Sequence, residues 1–232
     1  FKFWGFLFKK WLTKIDTVIC VSKTAANCIS HYGFKTQPKI IPNGTNISRF
    51  YKNTKNNSEN INILFVGRNE KRKGINLLLS AFKSINKKFN GVTLTLVGDG
   101  VKRLEGSYNE ENSKFFDHME GDELVKMYWE ADIFCSPAIE NESFGIVLLE
   151  AMASGLAVIA SDLPGYKEVV KDYQNGILFS HGSYDSLLTN LEELLFNENL
   201  RLGISKKGQA YSKEYDWKKI AVRIQKTYVD IV

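Results

Sequence analysis

The chain has 232 residues, 44% hydrophobic, 12% aromatic and 25% charged, a globular balance with enough length to bury a sizeable core. A net charge of +5, from 31 Lys and Arg against 26 Asp and Glu, is too mild to argue for nucleic acid, and no RNA- or DNA-binding signature accompanies it. Cys20, Cys28 and Cys135 follow no metal-ligand or disulfide spacing, so buried free thiols at Cys20 and Cys135 and a reducing compartment are expected. No apolar run reaches the ~18 residues of a membrane-spanning helix.

The opening "FKFWGFLFKKWLTK" carries Trp4, Phe8, Trp11, Leu12 and Ile15 at helical spacing. It is too aromatic and too evenly basic for a secretory signal. The favoured reading is a helix packed on its own domain; the competing one is a membrane-surface helix, because lysines interleave with the aromatics. A start in mid-helix suggests a fragment. "DTVICVS" then reads as a strand, Thr24 to His31 as a helix, and "KIIPNGTN" as a short strand closed by an Asn-Gly turn. "YKNTKNNSENIN" is polar and reads as a linker.

Beyond it, strands and helices alternate. "INILFVG", "VTLTLVGDG", "DIFCSP", "LAVIAS" and "NGILF" read as strands. "INLLLSAFKSINKKF", "DELVKMYWEA", "SFGIVLLEAMAS" and the short "GYKEVV" read as helices, with two or three more at the end, the last from about Asp216. Short, nearly continuous apolar strands separated by helices predict a Rossmann-like parallel sheet with helices on both faces. Ligands of such sheets sit outside the carboxyl ends of the strands. That rule selects the loops Gly67 to Gly74, Gly98 to Gly100, Ser136 to Ser143 and Ser161 to Gly165.

Two of these loops carry chemistry. "GRNEKRKG" leads from a strand into a helix N-terminus, whose unpaired N–H groups suit phosphate, and Arg68 and Lys73 add two cations; a solvated basic loop is the plainer reading. "ENESFGIVLLEAMASG" separates Glu142 and Glu150 by seven residues without another charge. With Phe144 onward helical, Glu142 precedes the helix and Glu150 lies about two turns inside it, on the order of 10 Å away along the axis. That span matches the distance from a ribose to the sugar beyond a diphosphate, and sugar hydroxyls supply the donors a buried carboxylate needs. The plainer reading is one carboxylate at a helix end and one in a salt bridge.

"GRNEKRKGINLLLSAF", "LVGDG", "ELVKMYWEADIFCSPAIENESFGIVLLEAMASGLAVIAS" and "YKEVVKDYQNGILF", in this order, resemble the retaining glycosyltransferases of the GT-B fold, the large group containing sucrose-phosphate synthases and bacterial mannosyl- and glucosyltransferases. E-x7-E is the most characteristic of these motifs. The resemblance implies four segments: residues 1–46, the end of an acceptor-side α/β domain and the crossover; residues 47–60, a polar linker; residues 61–213, the donor-binding C-terminal half of a GT-B fold; and residues 214–232, a helix returning to the first domain.

It also implies roles. Arg68 and Lys73 match the basic pair that grips the donor diphosphate, with Gly67 beside them; Glu150 matches the carboxylate on the ribose and Glu142 the one beside the transferred sugar. The amides of Ser143, Phe144 and Gly145 fall near sugar or phosphate. "FFDHM" occupies the segment framing the base, which makes Asp117 and His118 nucleotide neighbours, although Asp117 stands where many relatives have glycine. The implied reaction transfers a sugar from a nucleotide-diphosphate sugar to an acceptor hydroxyl with retention, in cell-surface glycan or glycolipid synthesis. It uses no metal and no cofactor beyond the donor, in the cytoplasm or at the inner face of a membrane. The acceptor, a glycan or lipid, is unspecified. The family's first sheet and glycine-rich donor loop belong upstream of Phe1, so this chain is expected to bind a nucleotide sugar but to transfer it poorly alone. Two other readings compete. One is a non-catalytic or truncated nucleotide-sugar-binding module; the other is a nucleotide-sugar epimerase, which should carry its own acid–base residues in place of E-x7-E. A dehydrogenase or flavodoxin-like domain predicts G-x-G-x-x-G, which "VGRNEKRKG" does not match.

Overall fold

The computed structural model describes residues 11–12, 14–32, 34–52, 60–108 and 110–230. Most of the expected opening helix, including Trp4 and Phe8, and most of the polar linker lie outside these residues. Trp11, from the expected packed stripe, is 67% exposed, with the Lys14 ammonium 5.1 Å from its ring centroid.

The first elements form a small parallel pair, β1 (Ile19–Cys20) and β2 (Lys39–Ile40), joined through α1 (Lys23–Ile29). A short helix α2 (Ile47–Phe50) follows, and its Ile47 and Phe50 are buried, so the stretch expected to be polar linker begins with core residues. Then come β3 (Ile61–Val66), α3 (Ile75–Lys88), β4 (Val92–Val97), β5 (Ser113–Phe116), α4 (Gly121–Trp129) and β6 (Ile133–Ser136). The chain continues through α5 (Ile146–Ala153), β7 (Ala157–Ser161), α6 (Pro164–Val169) and β8 (Ile177–Phe179). It closes with α7 (Tyr184–Phe196), α8 (Glu198–Ser212) and α9 (Trp217–Val229).

The strands β3 to β8 form one parallel sheet in the order β5-β4-β3-β6-β7-β8. Counted from β3 this is 3-2-1-4-5-6, the doubly wound order, and it reverses between β3 and β6. The strands read as continuous apolar runs because both faces are covered. Ile63, Phe65, Ile133, Cys135 and Ile159 face α3 and α7, while Leu64, Phe134, Val158 and Ala160 face α4, α5 and α6. Each large side chain so buried contributes about 1.5–3 kcal/mol. β5 lacked a strand signal in the sequence: it is short, half polar and at the sheet edge, where β4 supplies its partner.

The small pair is tied to the sheet domain at a double crossover. Thr45 bridges Asp216, with Thr45 N donating to Tyr215 O (2.9 Å) and Trp217 N donating to Thr45 O (3.2 Å). Farther along, Lys39 pairs with Asp230 at 3.3 Å. Among the described residues, no helix is long and apolar enough to cross a membrane.

Candidate active site

The order reversal between β3 and β6 leaves a crevice at their carboxyl ends. Two loops enter it, 67–74 after β3 and 137–145 after β6. They are in close contact: Ile139 N donates to Arg72 O (2.8 Å), and a Cβ on Gly74 would lie 1.9 Å from Pro137 O. Gly74 also holds φ +70, a conformation that L side chains rarely adopt. Alongside, the β4 loop is stitched to the first by Asn69 N donating to Asp99 O (2.9 Å) and Asn69 Nδ2 to Gly100 O (3.1 Å).

Charge concentrates where the two loops meet. Arg72 Nη1 (2.8 Å) and Lys73 Nζ (2.5 Å) both donate to Glu142 Oε1, and Glu142 is only 10% exposed. Oε2 of Glu142 accepts nothing from the described residues. Glu70 orients the other cations, pairing with Arg72 Nε (2.6 Å) and Arg68 Nη1 (3.0 Å). Arg68 remains 60% exposed. Lys71 adds a fourth cation, so the loop's cations outnumber Glu70 and Glu142 together.

Helix α5 starts at Ile146, two residues later than its sequence pattern predicts. Phe144 is buried against Tyr215, ring centroids 6.0 Å apart, and Gly145 takes the left-handed conformation (φ 92°) as an N-cap without a side-chain hydrogen bond. A Cβ on Gly145 would meet the Tyr166 ring at 2.8 Å. The first-turn N–H groups of α5 thus have no side-chain cap, and a helix N-terminus of this kind favours an anion. Glu150 is the fifth helical residue, just over one turn in. The axial estimate of its separation from Glu142 therefore lapses, because residues 142–145 are not helical.

Glu150 is held differently from Glu142. The Tyr128 hydroxyl, on α4, donates to Glu150 Oε2 at 2.9 Å. Tyr128 is fully buried, stacked on Phe134 and edge-on to Phe50. Burial pushes the Glu150 carboxyl above its ordinary value while the Tyr128 hydrogen bond draws it back; burial and the neighbouring carboxylate push the Tyr128 hydroxyl well up.

The structure places the expected site residues as follows. Arg68, Lys73, Glu142, Ser143, Phe144, Gly145 and Gly67 sit on the two crevice loops, with Glu150 on the helix behind them. Gly67 N donates to Val97 O (2.9 Å), so its amide is already engaged. Asp117 and His118 follow β5: Asp117 Oδ1 accepts from Gly100 N (2.7 Å), and His118 Nδ1 lies 3.0 Å from Asp99 Oδ1. Arg72, Tyr128 and Tyr166 escaped the sequence reading. Arg72 had a signal, lying inside the basic run. Tyr166, within hydrogen-bond distance of Ser136 Oγ (2.7 Å), and Tyr128 read only as core aromatics.

A parallel sheet in this order, with a cationic loop facing an uncapped helix start at its switch point, defines a Rossmann-like domain of the GT-B type. The chain belongs to the family described as Glycosyl transferases group 1, whose model matches residues 47–211. It is 36% identical over 170 residues to a phosphatidyl-myo-inositol mannosyltransferase of Mycobacterium leprae, covering 72% of this chain and 46% of that one. Among solved structures, the sucrose-phosphate synthase of Thermosynechococcus elongatus is 25% identical with a TM-score of 0.82, covering all of this chain and 62% of that one. HepE of Anabaena, solved with UDP-glucose, is 22% identical with a TM-score of 0.82, over 97% of this chain and 67% of that one. The chain spans about half the length of curated relatives it matches, from 46% to 63% for the first three.

Proposed function

We propose that this chain is the donor-binding part of a retaining glycosyltransferase, which moves a sugar from a nucleoside-diphosphate carrier to an acceptor hydroxyl. The observation that carries the reading is the convergence of Arg72 and Lys73 on Glu142, beside the uncapped start of α5 and the exposed Arg68. When the bond from anomeric carbon to phosphate breaks, charge develops on the leaving diphosphate. Arg68, Lys73 and the first amides of α5 stabilise it, a fixed electrostatic contribution that takes the place of a metal ion. Glu150, with one oxygen engaged by Tyr128, offers the other to the ribose hydroxyls. Glu142, with Oε2 unengaged, orients the transferred sugar, and the Ser143–Gly145 backbone lies along sugar and phosphate. Asp117 and His118 border the base. The acceptor hydroxyl then needs positioning more than strong base assistance.

The similarity to a phosphatidyl-myo-inositol mannosyltransferase supports a glycolipid acceptor. The HepE complex makes UDP the first diphosphate to try. The test is calorimetric titration with UDP, GDP and ADP without added metal, beside Glu150→Ala and Lys73→Met variants. One diphosphate should bind, and each variant should weaken it by roughly tenfold or more, as loss of a hydrogen bond to a charged group predicts. Absence of binding by all three would overturn the reading.

A further inference from the structure

Helix α6 touches the candidate site at one end and the N-terminal segment at the other. At its start, a Cβ on Gly165 would lie 2.2 Å from Glu142 O and 2.7 Å from the Ser143 carbonyl carbon, so this helix packs backbone to backbone on the donor loop. Tyr166, fully buried, adds the contact with Ser136 Oγ and presses its ring against Gly145.

Two residues on, Glu168 turns to the opposite partner. Its Oε2 accepts from Lys23 N (2.9 Å), and its Oε1 accepts from Thr24 N (2.9 Å) and Thr24 Oγ1 (3.1 Å). These are first-turn donors of α1, where an α-helix has no partners of its own. Ser22 completes the set, its Oγ accepting from Ala25 N at 2.9 Å. A carboxylate 144 residues away in sequence from Thr24 therefore caps α1.

We infer that Glu168 is a positioning residue: it transmits the position of the Glu142–Gly145 loop, through α6, to the α1 segment. The inference rests on the donor-site reading above. The loop and α6 are in direct backbone contact at Gly165, where even a Cβ would not fit, so a shift of the loop presses on α6. At six residues, about 9 Å, α6 keeps its two contacts within two turns of each other. Donor binding at the loop thus tightens or shifts the grip on Lys23 and Thr24, and by linkage that grip feeds back on donor affinity.

Amide hydrogen exchange on the whole chain, with and without UDP, GDP or ADP, tests this against Glu168→Ala, with Glu168→Gln as the milder variant. In the wild-type protein the diphosphate that binds should slow exchange in residues 137–145 and also at Lys23 and Thr24. In Glu168→Ala the loop response should persist, the Lys23 and Thr24 response should vanish, and their exchange without ligand should rise on the order of tenfold, as loss of a charged hydrogen bond predicts. Glu168→Gln, which keeps one acceptor oxygen, should fall between the two. A purely structural cap would change the exchange without ligand but not its response to nucleotide. Loop protection with an unchanged α1, or an α1 response that survives in Glu168→Ala, overturns the inference and leaves the donor site standing. No loop protection by any diphosphate overturns the donor-site reading, and the inference with it.

Discussion

Replacing Tyr128 by Phe removes one hydroxyl and little volume. That hydroxyl donates to Glu150 Oε2 at 2.9 Å from a fully buried ring. A hydrogen bond to a charged group contributes ~1.5–3 kcal/mol, and an acceptor left unsatisfied costs in the same range. Glu150 is only partly buried, so water reaches its other side and the expected loss at neutral pH is about 1.5–2 kcal/mol. The pH dependence is the sharper test. Burial raises the Glu150 carboxyl and Tyr128 lowers it. The folded chain therefore retains a proton that the unfolded chain releases. This contribution to stability is fully present below the unfolded value and is lost as pH rises through the folded one. Deleting the hydroxyl raises the folded value further, so the deficit of Tyr128→Phe should widen as pH rises from the ordinary carboxylate range to neutrality and above. Urea unfolding of both proteins across that range measures it. Repeating the series in a Glu150→Gln background should flatten the pH dependence, since the titrating partner is gone. A deficit that is constant with pH, or larger on the acid side, would refute the account of Glu150 as a hydrogen-bonded, desolvated carboxylate.

Gly165→Ala drives a Cβ to 2.2 Å from Glu142 O; because the obstacle is backbone, a loss of about 1–3 kcal/mol is expected, with weaker diphosphate binding, and unchanged thermal unfolding would contradict it. At Asp162, the His181 amide (3.0 Å) and His181 Nδ1 (2.7 Å), with Lys167 at 3.2 Å, hold the carboxyl down to about 2. That stability is present above the ordinary carboxylate range and is lost as pH falls through about 2, so Asp162→Asn should cost ~1–2 kcal/mol near neutrality and progressively less in acid, read by urea unfolding. Of the three cysteines, Cys28 is exposed while Cys20 and Cys135 are buried, with burial raising both thiols. Ellman's reagent should therefore find one fast thiol per native chain and the other two only after denaturation.

The sheet was legible because each central strand must fill both faces with apolar side chains. "INILFVG" alternates Ile63 and Phe65 toward one layer of helices with Leu64 toward the other, and that demand is local. The start of α5 is not legible in the same way, because a distant contact sets it. "SFGIVLLEAMAS" has the composition of one uninterrupted helix, but burial of Phe144 against Tyr215 and the left-handed Gly145 displace the first turn. No periodicity in the segment announces a partner 71 residues downstream.

The E-x7-E motif marked where two carboxylates sit but not what holds them. Glu142 is neutralised by cations from the β3 loop, about 70 residues earlier, because Ile139 and Arg72 join the two loops. Among the described residues, Glu150 meets no cation and relies on a tyrosine from α4. The two are therefore chemically unlike. One is a charge-paired group held by Arg72 and Lys73. The other is a desolvated acceptor that favours neutral hydroxyl donors. This asymmetry follows from which elements the doubly wound order brings beside each end of the motif. Under the proposed function, it suits the diphosphate to the cations around Glu142 and the ribose hydroxyls to Glu150.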